Sequence, residues 1–551
     1  MGKGRDKRKK ATGKVAGKGA EKTEKKTVQN QLKAQRRSEK QAEGGDADLD
    51  ALLAKFKMAD EALSTVLVEE NVSPPSARVH ATFTPVSAGK ASGSILLFGG
   101  EWYDGKKDQT HTYSDFYAFN PEKQTWQQIK IPKSPPPRNA HQAVVHKKYL
   151  YVCMGELTSL NQEKFKHYRD LWRLNLEEYE WEQLPARGGP SPRSGHRMAV
   201  YKNKLILFGG FHDDGNDRSP PTYFNDLWEF DMDELKWTAV DHKSPIWPSP
   251  RSGCPLVIQG DMLYLFGGYA RTQDEDGTEL ETVHEDVWAL NLLNYQWERI
   301  KKAGMAPGRR TQFGLVVHNT RAILFGGISD QAGAGDRLYS ETHGDLYQFN
   351  LESRRWYPLG LRPPKQASSK HKEAGPSAGP AATQVDEADA QAELAGAEAA
   401  EARAVMRPDM TDFLQKGHIA KDSPIFRAAL RIQSRYRGYV VRKAYKTYKL
   451  GGQVSELLYS PATYGVDFSA KDMPRPRGRA SPLMAVQGKM LWLYGGSVEI
   501  AHTDITLDDI WCVDLNKLNG WRCIKPHSGG EDAFKDDEWE TDDGEDNSDN
   551  E

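Results

Sequence analysis

Apolar residues along this chain fall in short runs broken by glycine, proline and polar loops, and few stretches keep helical spacing. One pattern returns six times. An apolar strand ends in a diglycine in SILLFGG (94–100), KLILFGG (204–210), MLYLFGG (262–268), RAILFGG (321–327) and MLWLYGG (490–496). YLYVCMGE (149–156) is the weakest copy and reads as having lost the second glycine, replaced by Glu156. A polar loop then leads to an Asp and an aromatic strand: DFYAF at 115, DLWRL at 170, DLWEF at 226, DVWAL at 286, DLYQF at 345 and DIWCV at 509. Each unit closes on one tryptophan, Trp126, Trp181, Trp237, Trp297, Trp356 or Trp521, at intervals of 55, 56, 60, 59 and 165 residues.

One further strand precedes each glycine pair, introduced in most copies by Pro, Arg and then a small residue or His, as in PPRNAHQAVV and SPRSGHRMAV. Four short strands per unit, none stable alone, predict the blades of a closed ring. The glycines permit positive φ or close backbone approach, and each tryptophan is a core filler between splayed sheets. The long last interval implies an insertion, so residues 479–524 must return as a sixth blade between blades 5 and 1.

These units resemble kelch repeats. The expected fold is all-β: a six-bladed kelch β-propeller with a helical insertion before the last blade and disordered charged tails. The segments follow as a basic tail (1–45), a short amphipathic helix (46–70), blades 1–5 (71–360), an insertion with linker and helix (361–474), blade 6 (475–525) and an acidic tail (526–551). Leu49, Leu52, Leu53, Phe56 and Leu63 carry the helix assignment. The pattern leaves open whether TVLVEE (65–70) adds an edge strand.

Composition changes little of this but sets the surroundings. Aromatics make up 10% of the 551 residues and glycines number 49, as suits a many-stranded fold. Four cysteines, Cys153, Cys254, Cys512 and Cys523, give no dense disulfide framework and no CxxC metal pair, which points to a reducing compartment. No apolar run is long enough to span a membrane. A cytoplasmic location is expected, with the nucleus as a second option, and no membrane partner. The near-zero net charge hides an asymmetry: residues 1–45 hold 15 basic and 5 acidic residues, or +10, and residues 531–551 hold 12 acidic residues and Lys535, or −11. Such tails lack the apolar surface to fold, and the basic one would support weak nucleic-acid contact.

Within the insertion, RAALRIQSRYRGYVVRKAYKTYK resembles a full IQ motif, the helix that holds calmodulin and related EF-hand light chains. The resemblance implies Ile432 and Tyr445 as apolar anchors, Gln433 as a hydrogen-bonding group, Gly438 as a point of close approach, and Arg437 and Arg442 facing an acidic surface. Independently, residues 421–449 carry nine basic residues against Asp422, or +8, which suits an acidic partner with an apolar groove. A basic helix docked on the propeller, and RNA or membrane contact, are the competing readings.

No HExxH, GxSxG, phosphate-binding loop or DxDxDG run occurs, and no catalytic residue, metal or cofactor is expected. His80, His141 and His196 precede the inner strands of blades 1–3, with Cys254 in the corresponding place of blade 4, and read as structural. Arg78, Arg138, Arg193, Arg251, Arg310 and Arg479 recur at blade starts, where arginines satisfy carbonyls or bridge blades more often than they face ligands. The loops after the diglycines vary on a fixed frame and are the expected protein-binding surface, with Trp102, Tyr103, Phe165, Tyr168, Phe211 and Tyr223 as contacts.

The order of features, with DLDALLAKFK, ILLFGGEWYDGKK, HYRDLW, a late LWLYGG blade and an acidic tail, resembles the kelch domain-containing protein 4 family. That resemblance implies an interaction protein without an established reaction. The function expected is a non-catalytic interaction scaffold or adaptor, with calmodulin or an EF-hand light chain bound through the IQ helix. A substrate receptor in a ubiquitin-ligase or nucleic-acid-associated assembly is the alternative, and a propeller enzyme a further one.

Overall fold

The computed structural model describes residues 48–361 and 474–530, apart from 106, 214–219, 274–278, 333–337 and 501–502, together with residue 534. The chain divides into one unit formed by Met1–Leu361 with Met473–Glu551 and another formed by Arg362–Asp472. The second unit, and with it the expected insertion helix, lies outside the described residues, as do most of both tails.

Six antiparallel sheets follow one another along the first unit. In blade 2 the strands Gln142–His146, Tyr149–Cys153, Leu171–Asn175 and Glu180–Leu184 lie side by side in chain order. Blades 3 to 5 repeat this order. Blade 6 is built from Leu483–Gln487, Met490–Tyr494, Ile510–Asp514 and Arg522–Lys525. The first strands of neighbouring blades approach one another: 82–85 meets both 142–146 and 483–487, and 314–318 meets 483–487. The first strands therefore surround the ring's axis, and blade 6 stands between blades 5 and 1.

The second strand Ile95–Phe98 is buried along its whole length, and the second strands of the other blades are buried for the four residues after a half-buried first one. Each is covered on both faces by adjoining sheets, which is why it reads as an unbroken apolar run rather than an alternating one. The closing tryptophans are buried and seal the joints between blades. Ring centroids lie 5.8 Å apart for Phe98–Trp181, 5.6 Å for Phe208–Trp297, 5.8 Å for Phe266–Trp356 and 5.5 Å for Phe325–Trp521. Each pair joins the strand-end aromatic of one blade to the tryptophan of the next. Tyr494 and Trp126, 5.7 Å apart, close the circle from blade 6 to blade 1.

Blade 1 has a fifth strand. Leu67–Val72 pairs antiparallel with Thr125–Lys130, with Leu67 opposite Lys130 and Val72 opposite Trp126. Among the described residues, the helix expected over 46–70 therefore covers 48–61. The β-branched residues of VLVEENV favour the extended chain once an edge is present to pair with, and Lys130 Nζ meets Glu69 Oε1 at 2.7 Å across that pairing. The helix lies against the propeller: Leu49 is buried with Leu157 and Tyr168, and Leu53 packs beside them. Asp48 Oδ2 accepts the Leu160 N–H at 3.1 Å, and Asp60 accepts those of Lys133 and Ser134 at 3.0 and 3.2 Å.

Among the described residues no helix is long and apolar enough to cross a membrane. All four cysteines are free, and three of them are buried.

Candidate functional site

The six blade-start arginines share one set of contacts. Arg138 donates from Nε to Pro136 O at 3.1 Å and from Nη1 to Met154 O at 3.0 Å. Its Nη1 and Nη2 clasp both oxygens of Asp170 at 2.8 and 2.9 Å. The same clasp joins Arg78 to Asp115, Arg193 to Asp226, Arg251 to Asp286, Arg310 to Asp345 and Arg479 to Asp509. Every one of these arginines is 5% exposed or less. They link the start of a blade to its diglycine turn and third strand, so they belong to the frame. Burial alone would raise the Asp170 carboxyl, but the Arg138 charge and hydrogen bonds, with that of Trp172, hold it below its ordinary value.

Two positions beyond each arginine the backbone turns left-handed: φ is 55° at His80, 49° at Ala140, 62° at Gly195, 61° at Gly253, 54° at Gln312 and 48° at Ser481. These residues link blade to blade around the axis, since Ala140 N donates to His80 O, Gly195 N to Ala140 O, Gly253 N to Gly195 O and Ser481 N to Gln312 O. His80 therefore does not correspond to His141 and His196, as the sequence pattern suggests. Those two sit one residue further on and are buried.

The diglycine of blade 2 also differs from its reading. Met154, at φ 53°, fills the first glycine position, and Gly155, at φ 93°, is the retained second one. The first position has ordinary left-handed geometry, which a side chain tolerates at modest cost. The second lies beyond it: at Gly155 a Cβ would stand 2.5 Å from Asn139 O. Glu156 is thus the residue after the turn, equivalent to Glu101, Phe211, Tyr269, Ile328 and Ser497. Each of the six forms an antiparallel bridge with the residue after its blade's arginine.

From this position an antiparallel hairpin rises in every blade, such as Glu101–Asp104 with Gln109–Thr112 and Glu156–Thr158 with Phe165–His167. In blade 4 it continues the long strands Met262–Gln273 and Glu279–Asn291. The hairpins of blades 1 and 2, 6 and 1, and 5 and 6 touch. Their common face surrounds one mouth of the axial channel.

That mouth is uneven. On the side of blades 1 and 2, His80 Nδ1 lies 2.8 Å from Glu101 Oε1 and His80 Nε2 lies 3.1 Å from Ser481 Oγ. Asn139 Nδ2 donates to Glu101 Oε2 at 2.7 Å and to Thr158 Oγ1 at 2.9 Å, and Ser194 Oγ donates to Glu156 Oε2 at 2.7 Å. Asp213 N donates to His167 Nε2 at 3.0 Å, so the neutral ring carries its proton on Nδ1, which lies 3.3 Å from Glu156 Oε2. Burial, opposed by the Ser194 hydrogen bond and reinforced by the Glu101 charge, pushes the Glu156 carboxyl up to about 7. Burial and His212 lower His167 to about 4. Burial opposes charge on His80, yet Glu101 and Glu156 raise it overall. On the side of blades 3 and 4 the wall is aromatic, with Phe211 stacked on Tyr223 at 5.7 Å.

Of the expected contact residues, Trp102, Tyr103, Phe165, Phe211 and Tyr223 stand on hairpins and are half-buried. Trp102 stacks on His111 at 5.5 Å, and Tyr103 OH donates to Asp108 at 2.8 Å. Tyr168 is not available at the surface. It is buried, its ring lies 4.4 Å from the Arg138 guanidinium, and its hydroxyl donates to Pro137 O at 3.0 Å. It belongs to a repeat two residues before the clasping aspartate, shared by Tyr113, Phe224, His284 and His343, and that spacing marks it as part of the frame. The sequence reading passed over Glu101, Asn139, Glu156 and Ser194; counting from the second glycine would have found the two carboxylates. Ile432, Gln433, Arg437, Gly438, Arg442 and Tyr445 lie outside the described residues.

Comparison with known proteins agrees with the repeat architecture. The model of the KLHDC2/KLHL20/DRC7 Kelch-repeats domain matches residues 44–210, 86–327 and 213–374, and the IQ calmodulin-binding motif matches residues 426–446. The chain is similar to human Kelch domain-containing protein 3, at 24% identity over 46% of this chain and 64% of that protein. It is also similar to the Drosophila melanogaster Leucine-zipper-like transcriptional regulator 1 homolog, at 25% identity over 48% of this chain and 25% of that protein. The Caenorhabditis elegans Host cell factor homolog hcf-1 is 25% identical over 42% of this chain and 28% of its own length. The chain thus spans less than two thirds of each of these relatives. Among the described residues no group of three or more His, Cys, Asp or Glu could hold a metal ion.

Proposed function

Because the chain belongs to the KLHDC2/KLHL20/DRC7 Kelch-repeats domain family, we propose that it is a protein-interaction scaffold that holds one partner on the hairpin face and a calmodulin-type EF-hand protein on residues 426–446. The observation that carries this reading is the contrast between frame and face. The Arg–Asp clasp is the same in six blades. The six residues leaving the diglycine turns are two acids, two aromatics, an isoleucine and a serine. A constant frame carrying variable loops is the arrangement of a recognition surface.

The IQ match supports the EF-hand arm, with Ile432 buried in the partner, Gln433 hydrogen-bonded, and Arg437 and Arg442 steering encounter. The feature order further supports a place near the kelch domain-containing protein 4 type. Four free cysteines support a reducing compartment, the cytoplasm first and the nucleus second. The basic tail would add weak nucleic-acid contact.

The test is a titration of calmodulin against the full chain, with and without calcium, beside a pull-down by the full chain and by a Trp102→Ser/Phe211→Ser/Tyr223→Ser variant. Calmodulin binding lost in Ile432→Asp, and partners lost in the triple variant while it still unfolds cooperatively, are the expected results. Binding indifferent to both sets of changes overturns the proposal.

A further inference from the structure

We infer that the axial mouth on the hairpin face takes a cationic side chain, a guanidinium or an ammonium, projecting from the partner protein, with Glu101 and Glu156 as its counter-charges. The inference rests on the reading of that face as the recognition surface. Two carboxylates from neighbouring blades stand here at equivalent positions, Glu156 8% exposed. The only ion pairs either makes among the described residues are with histidines, His80 for Glu101 and His167 for Glu156. Among the described residues no lysine or arginine forms an ion pair with either.

The cluster holds an unpaired acceptor. Asn139 is fully buried between the two acids, its Nδ2 is spent on Glu101 and Thr158, and its Oδ1 has no hydrogen-bond partner. A buried amide oxygen without a donor, beside two carboxylates whose only ion pairs among the described residues are with histidines, calls for a ligand that only donates. Lysine offers three N–H donors and arginine five, and neither accepts. Phe211, 5.6 Å from His167, supplies an aromatic ring beside the acids, of the kind that favours a cation near its face. The mutual repulsion of Glu101 and Glu156 is the electrostatic counterpart of the missing charge. His80 and Arg197 are the cationic groups on the other side. Arg197 donates to His196 O at 3.1 Å and lowers the His80 pKa, so an anion-seeking mouth is the competing outcome.

The experiment is selection of displayed random heptapeptides on the full chain, followed by affinity measurement with synthetic peptides. The recovered peptides should share an Arg or Lys. Replacing it by citrulline or Gln should weaken binding about tenfold or more, and Glu156→Gln and Glu101→Gln should do the same in the protein. The peptide substitution tests the charge without touching the protein's fold. Peptides that need no cation, or that need an acid, overturn the inference. If such peptides are still lost in the Trp102→Ser/Phe211→Ser/Tyr223→Ser variant, the hairpin face stands as the recognition surface without the charge rule. Peptides retained by that variant, or no enrichment at all, overturn both.

Discussion

Gly496 donates its N–H to the carbonyl oxygen of Arg78 at 3.3 Å, joining the end of a strand in the last blade to the start of the first. The same bond runs from Gly100 to Arg138, Gly155 to Arg193, Gly210 to Arg251 and Gly327 to Arg479. Ring closure therefore needs no special device. The interface that stacks each blade on the next also seals the circle, with the chain between residues 361 and 474 inserted at one of the joints.

That bond predicts unequal costs for two glycines of one blade. Gly496 has φ 95° and a Cβ there would stand 2.7 Å from Ala480 O, whereas Gly488 has φ 61° and nothing within 4 Å. Gly496→Ala should cost about 3 kcal/mol or more in chemical denaturation, and Gly488→Ala about 1 kcal/mol. Equal losses would mean that crowding at the turn is not what requires the glycine.

The Arg–Asp clasps predict a response to both mutation and acid. Arg138→Met leaves a largely covered carboxylate without its counter-charge and should cost about 3–5 kcal/mol, while Arg138→Met/Asp170→Leu should recover much of it. Because the Asp170 carboxyl lies below its ordinary value of 3.8 in the fold, its contribution is present above that value and is lost as pH falls through the folded pKa. Asp286 is shifted the same way. Melting temperature should therefore decline as pH drops below about 4, and less so in the double variant.

Glu156 predicts the opposite slope. Its carboxyl moves from an ordinary 4.5 to about 7 in the fold, so its protonated form is favoured there and the associated stability is lost as pH rises between those values. Glu156→Gln should raise the melting temperature at pH 8.5 relative to the native chain, and the gain should vanish by pH 4. A gain that persists at pH 4 would show that charge is not its source.

The blade frame was legible because its signals are local. Gly100, Gly210 and Gly327 mark left-handed turns, Trp126 and Trp237 mark the wedge between sheets, and Arg and Asp recur at fixed offsets. The strand Leu67–Val72 was not legible, since its extended form depends on the free edge of Thr125–Lys130, far along the chain. The slip at Met154 came from treating both glycines of the turn as equally strict when only the second has a φ beyond the ordinary left-handed region. The meeting of Glu101 and Glu156 was hidden because adjacency between blades, not along the chain, brings them together. The residues of the IQ motif had only their own spacing to be read from.

Tyr168 and Phe211 provide the sharpest separation of frame from face. Both are aromatics that follow a glycine turn and lie beside charged residues, and composition gives no reason to treat them differently. Tyr168, however, lies against the Arg138 guanidinium and packs with Leu49 of the helix over residues 48–61 and with Leu157. Phe211 is half-buried, with Tyr223 and His167 as ring neighbours. Tyr168→Ser should therefore cost about 3 kcal/mol or more, and amide exchange over residues 48–61 should quicken as the helix loses its seat. Tyr168→Phe keeps the ring and gives up only the hydroxyl bond to Pro137, so about 1 kcal/mol is expected. Phe211→Ser should cost about 1 kcal/mol or less and leave that helix protected, while weakening whatever the hairpin face holds. If Phe211→Ser instead unfolded the chain and Tyr168→Ser spared it, frame and face would have been assigned the wrong way round.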